Sequence, residues 1–131
     1  MTPPTAAGTA QADFDAAIGE FREGRYGRAI AGFQKFLNAY PNSDQADDAQ
    51  YWLGESYYLS RDYSAAKEAF INLGVHHPES TQLPNALLKL GYIYGVTGET
   101  TRAREVLQKL IQTYPDTQAA SLAERRLQTL H

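Results

Sequence analysis

The sequence predicts an all-α fold of stacked helical repeats, and three observations carry that reading. The chain repeats itself at a fixed offset, each repeat holds two apolar stripes at helical spacing, and proline closes each repeat. The stretches FREGRYGRAIAGFQKFLNAYPNS (21–43), YLSRDYSAAKEAFINLGVHHPES (58–80) and GVTGETTRAREVLQKLIQTYPDT (95–117) align without a gap, each 37 residues after the last. Ala29, Ala66 and Ala103 coincide, as do Phe33, Phe70 and Leu107, and Pro41, Pro78 and Pro115. No segment reads as a strand.

The register places seven helices. The first, 11–23, holds Ala16, Ala17 and Glu20 where later units hold Leu, Gly and Tyr. The second, 26–39, carries Ala29 and Phe33 and stops before Pro41. In the third, 44–59, Ala49, Leu53 and Tyr57 recur every four residues, one stripe of a helix. The fourth, 63–76, repeats the device with Ala66, Phe70 and Leu73, and Pro78 follows. Ala86, Leu90, Gly91 and Tyr94 define the fifth, 81–97, while Ala103 and Leu107 define the sixth, 100–113. Ala123 and Leu127 keep the phase in the last, 118–130, which reads as a cap with Arg125 and Arg126 on its outer side. Gly24, Arg61-Asp62 and Gly98 occupy the short turn inside each unit. Proline pushes the residue before it out of the helical region, and Ser43, Ser80 and Thr117 then stand where an N-cap is wanted.

Leu53-Gly54-x2-Tyr57, Ala66-x3-Phe70 and Pro78 match the tetratricopeptide consensus, as do Leu90-Gly91-x2-Tyr94, Ala103 and Pro115. The expected fold is therefore a tetratricopeptide-repeat right-handed superhelix of three helix-turn-helix repeats, about 10–43, 47–80 and 84–117, plus the capping helix 118–130. Three residues beyond the usual repeat length of about 34 fall between units. Residues 1–10 read as a flexible linker remnant and 11–131 as the domain. Gly54 and Gly91 are expected opposite Ala66 and Ala103, where the paired helices cross most closely.

Composition narrows the function. The chain has 131 residues, a formal net charge of -3, nine tyrosines and no cysteine. That charge argues against a nucleic-acid binder, and the absence of cysteine excludes disulfides and cysteine-ligated metal. No apolar run approaches the roughly 18 residues needed to span a bilayer. MTPPTAAGTAQ lacks the basic and apolar regions of a signal peptide, and a methionine before linker-like sequence suggests a chain cut from a longer protein.

Among the aromatics, Tyr57 and Tyr94 read as repeat core, and Tyr26 and Tyr63 as packing for the start of each second helix. Tyr51, Glu55 and Tyr58, at i, i+4 and i+7, make a separate stripe. Its equivalents are Phe14, Ile18 and Phe21 in the first unit, and Leu88, Tyr92 and Gly95 in the third. With Asp48 and Asn85 at the edge, these positions form a candidate groove for a protein partner, since Tyr offers contact area and a hydroxyl at small entropic cost. The alternative is that some of these rings pack between adjacent repeats.

Catalytic readings find little footing. His76 and His77 are neighbours and do not share a helix face, so a helix-end role is favoured over a metal site. Asp47 and Asp48 suit a helix N-terminus rather than an acid–base pair. No phosphate-binding loop, nucleophile elbow or zinc motif is present, so no enzymatic activity, cofactor or metal is expected. A clamp for acidic C-terminal tails needs Lys, Asn and Arg where this chain has Asp48, Tyr51 and Glu55.

FREGRYGRAIAGFQKFLNAYPNS, AQYWLGESYY, LPNALLKLGYIYGVTGE and YPDTQAASLAERRL together resemble the C-terminal tetratricopeptide domain of the Tol–Pal-associated periplasmic family, the CpoB (formerly YbgF) cell division coordinators. The resemblance runs from about residue 12 to the C-terminus. It implies a non-catalytic periplasmic adaptor that binds TolA and a bifunctional peptidoglycan synthase, coordinating outer-membrane constriction with septal wall synthesis. It also implies a signal peptide and a trimerising coiled coil ahead of this chain, with the 131-residue chain itself a monomer that neither binds nucleic acid nor inserts into the membrane. A second resemblance, resting on repeats that end in YP-S, is to a tetratricopeptide scaffold of outer-membrane protein assembly.

Overall fold

In the computed structural model, which describes residues 6–130 and the side chains of residues 10–130, the chain forms seven α-helices. These are α1 (Ala6–Arg22), α2 (Tyr26–Ala39), α3 (Ala46–Leu59), α4 (Tyr63–His76), α5 (Leu83–Val96), α6 (Thr100–Thr113) and α7 (Gln118–Thr129). Among the described residues there is no strand. All seven expected helices are present. The start of α1 is corrected: it begins at Ala6, so residues 6–10, expected as linker, belong to the first helix, and residues 1–5 lie outside the described residues. Ala10 explains the extension. It lies two turns before Ala17 on the same face and joins the same core cluster, so packing continues the helix beyond the linker-like composition.

Each repeat turns in the same way. Gly24, Arg61 and Gly98 all adopt left-handed φ, at 78°, 65° and 84°. The N–H groups of Arg25, Asp62 and Glu99 reach back to the carbonyls of Glu20, Tyr57 and Tyr94 at 2.9, 3.0 and 2.7 Å. Those of Gly24, Arg61 and Gly98 reach Phe21, Tyr58 and Gly95 at 2.9, 3.0 and 3.2 Å. This pair of bonds is the Schellman motif, which satisfies the last carbonyls of one helix while the next begins. Two turns supply the glycine that the left-handed residue favours, and the middle one holds an arginine there. Asp62 compensates in part, because its Oδ1 accepts from the Ala65 N–H at 3.2 Å and caps α4.

The closures between repeats are equally regular. Tyr40 and Tyr114 leave the helical region ahead of their prolines, with ψ near 57° and 59°. The Ser43, Ser80 and Thr117 N–H groups donate back to the carbonyls of Tyr40, His77 and Tyr114, forming three proline turns. Only Thr117 then caps a helix, accepting from the Ala120 N–H at 3.1 Å. Ser43 and Ser80 instead accept from Gln45 and Gln82, two residues on, so α3 and α5 begin two residues later than expected. The additional residues between repeats are taken up in that extra turn.

The chain divides into two compact units, Met1–Ala69 and Phe70–His131, with the division falling inside α4. In the first, Ala29, Phe33 and Phe36 of α2 pack with Ala17, Ala49, Leu53 and Ala69. In the second, Leu88, Leu107 and Leu110 pack with Ala119 and Ala123 of α7. Helix crossing in each unit depends on a missing side chain. A Cβ on Gly91 would fall within the Leu107 side chain, 2.6 Å from its Cγ, so Leu107 is the neighbour that leaves no room at that crossing. In the first unit the glycine has changed helices: a Cβ on Gly32 would stand 2.9 Å from that of Ala17.

Two outcomes follow for stability in urea. Gly91→Ala lowers it by about 1–3 kcal/mol through overpacking, despite alanine's better helix propensity. Arg61→Gly raises it by about 0.5 kcal/mol, because about 1–2 kcal/mol of left-handed strain is relieved and a smaller amount is returned to the unfolded chain as entropy.

Candidate protein-interaction face

The candidate stripe lies on α1, α3 and α5, and each unit resolves it differently. In the first unit Phe14 meets Phe33 and Phe36 edge-on, with centroids 6.1 and 5.6 Å apart, and Ile18 packs half-buried on the same core. Phe21 lies against Tyr26 at 5.5 Å and Trp52 at 5.0 Å, joining three helices through one ring. These rings are chiefly packing.

On α3 the stripe splits. Tyr51 is only 6% exposed and meets the Trp52 ring edge-on at 5.2 Å, so the expectation that it lines a surface is corrected. Burial, and secondarily the Glu55 carboxylate one turn on, push its hydroxyl pKa well above the ordinary tyrosine value. Tyr58 stays half-buried, edge-on to Tyr63 at 5.7 Å, and Asp48 and Glu55 are also half-exposed. Asp47 and Asp48 stand in the first turn of α3, where the helix dipole favours negative charge. Tyr57, expected in the core, is half-buried, and its hydroxyl accepts from Gln34 Nε2 at 2.8 Å.

In the second unit Leu88 is 5% exposed, packed in the cluster with Ala119 and Ala123 of α7, so it too is corrected from surface to core. Helix α5 packs on the next first-position helix, α7, as well as on its own partner α6, and Leu88 falls in that extra contact. Tyr92 remains half-buried, and Asn85 is exposed. The Arg126 guanidinium lies 4.2 Å from the Tyr92 ring centroid, and the Lys89 ammonium 5.8 Å. Arg126, expected on the outer side of the cap, thus covers an aromatic face instead.

Sequence reasoning did not single out two apolar residues that the structure exposes at equivalent repeat positions. Leu59 and Val96, 37 positions apart and equivalent in the repeat, are 44% and 55% exposed at the ends of α3 and α5. Each follows the stripe's last members by a residue, and their shared register was the available signal. No cluster of possible metal ligands occurs among the described residues, and no described helix is long and apolar enough to cross a membrane.

A family model described as YfiO, outer membrane lipoprotein, matches residues 6–131. A cell division coordinator CpoB of Pseudomonas putida is 45% identical over 42 residues, which cover 32% of this chain and 16% of that relative. The chain thus resembles a CpoB-like tetratricopeptide domain while spanning a small part of the relative's length. The tetratricopeptide domain of Arabidopsis OM64 superposes with a TM-score of 0.76 at 10% identity, covering 92% of this chain and 94% of that one. The second such domain of human RPAP3, solved with an HSP70 peptide, gives 0.75 at 17% identity, covering 91% and 94%. These likenesses establish the tetratricopeptide fold.

Tyr51 carries a pH dependence with a definite sign. Its pKa is raised in the folded state, so its contribution is intact below the unfolded value of about 10 and lost as pH rises beyond it. Urea stability should fall above about pH 10, and Tyr51→Phe should make that fall shallower.

Proposed function

The chain belongs to the YfiO outer membrane lipoprotein family, and from that premise we propose that it is a non-catalytic adaptor of the bacterial cell envelope, working in the periplasm. Its partner in this reading is TolA, with a bifunctional peptidoglycan synthase as a second, and its role is to help couple outer-membrane constriction to septal wall synthesis. The CpoB-like stretch supports the partner, and the exposed apolar pair Leu59 and Val96 carries the reading of the surface. Singly exposed aliphatic residues are ordinary, but the same repeat position exposed twice, beside half-buried Tyr58 and Tyr92, suits a partner that follows the repeat. An elongated, helical or extended segment meets that requirement.

The family match over residues 6–131 also favours a second reading, a scaffold in outer-membrane protein assembly. A calorimetric titration with the periplasmic part of TolA separates the two. The adaptor reading expects micromolar binding, weakened about tenfold or more (at least ~1.4 kcal/mol) by Leu59→Glu/Val96→Glu. Binding indifferent to that pair would keep the partner and move its site, whereas absence of binding by a folded chain would favour the assembly scaffold.

A further inference from the structure

The first repeat carries a cleft of its own. There α1 and α2 enclose a cleft of about 150 Å³. Its floor is Ala16, Ala17 and Gly32, its α1 wall carries Asp13 and Glu20, and its α2 wall carries Arg28 and Lys35. The repeat itself shows what such a place receives. Thirty-seven residues on, Ala16 and Gly32 become Leu53 and Ala69. Those two pack with Phe33 and Phe36, so the equivalent seat in the next repeat is filled by α2. Glu20 likewise becomes Tyr57, which bonds Gln34 of α2.

The first repeat thus retains the seat with its large apolar side chains removed. A floor of alanine and glycine lets a helix backbone approach closely, toward the short end of helix-packing distances. The two walls are opposite in charge, and each pair is seven residues apart, about 10.5 Å along its helix. Arg28 lies 3.7 Å from Glu20 and ties the two walls together at that end, while Arg25 at 3.0 Å from Glu20 and the Tyr40 hydroxyl at 3.5 Å from Asp13 hold the acidic wall in place.

We propose that this cleft binds a partner α-helix with an alanine-rich face, basic residues along the edge over Asp13 and Glu20, and acidic residues along the edge over Arg28 and Lys35. Its residues are distinct from those proposed to meet TolA. Like charges at seven-residue spacing on each edge of the partner match the walls.

The test is a titration of the 131-residue chain with a synthetic alanine-based helix carrying lysines on one edge and glutamates on the other. Saturable binding is expected. Ala16→Trp, which fills the seat, should weaken it at least tenfold. Lys35→Glu, an exposed change, should weaken it severalfold, with recovery when the one peptide glutamate that faces position 35 becomes lysine. Leu59→Glu/Val96→Glu should leave it unchanged, so failure here is separable from failure of the TolA reading. Three results would overturn the proposal: no saturation at millimolar peptide, affinity unmoved by both seat variants, or a dimer of the free chain that Ala16→Trp dissolves, which would assign the seat to a second copy.

Discussion

Everything in this chain depends on how closely the two helices of a repeat can cross. Where Gly91 meets Leu107, and where Gly32 meets Ala17, there is no room for one more carbon. That approach lets Phe33, Phe36, Leu107 and Leu110 be wholly buried between helices only 14 residues long. Helices of that length are marginal alone, so their stability comes from such packing rather than from propensity. The first repeat reaches the same crossing with the glycine on the other helix, which shows that the constraint is the distance and not the position of the residue.

The crossing also sorts the aromatic residues. Once the helices are drawn together, the stripe rotated from the core is no longer fully outside. Phe14 and Phe21 turn inward onto neighbouring rings, and Tyr51 is enclosed beside Trp52. Tyr58 and Tyr92 stay half-buried, and Leu59 and Val96 stay exposed at the ends of their helices, at positions set by the repeat register.

Much of this was legible before any coordinates. The fixed offset, the Ala–Phe stripe and the closing prolines located all seven helices, because each reports a strict local requirement: a small residue at a crossing, a ring in a core, a ring that ends a helix. The failures have separate physical causes. Leu88 was misplaced because a helical wheel knows one partner helix, whereas α5 meets both α6 and α7, and Tyr51 was misplaced because its ring is enclosed beside Trp52. Arg126 was misplaced because its charge suggested solvent, while its planar head can lie on the Tyr92 ring. Ser43 and Ser80 did not cap, since the backbone made another turn before the helix began.

The closures within and between repeats are made almost entirely by main-chain hydrogen bonds, with glycine, proline or, in the middle turn, Arg61 at one point and little demand on the side chains around them. Such joints tolerate replacement of nearly everything that faces outward. A lineage can therefore exchange its binding face, residue by residue, without passing through an unfolded ancestor. The architecture changes slowly while its vocabulary of partners drifts, and this explains how domains sharing few residues keep one shape.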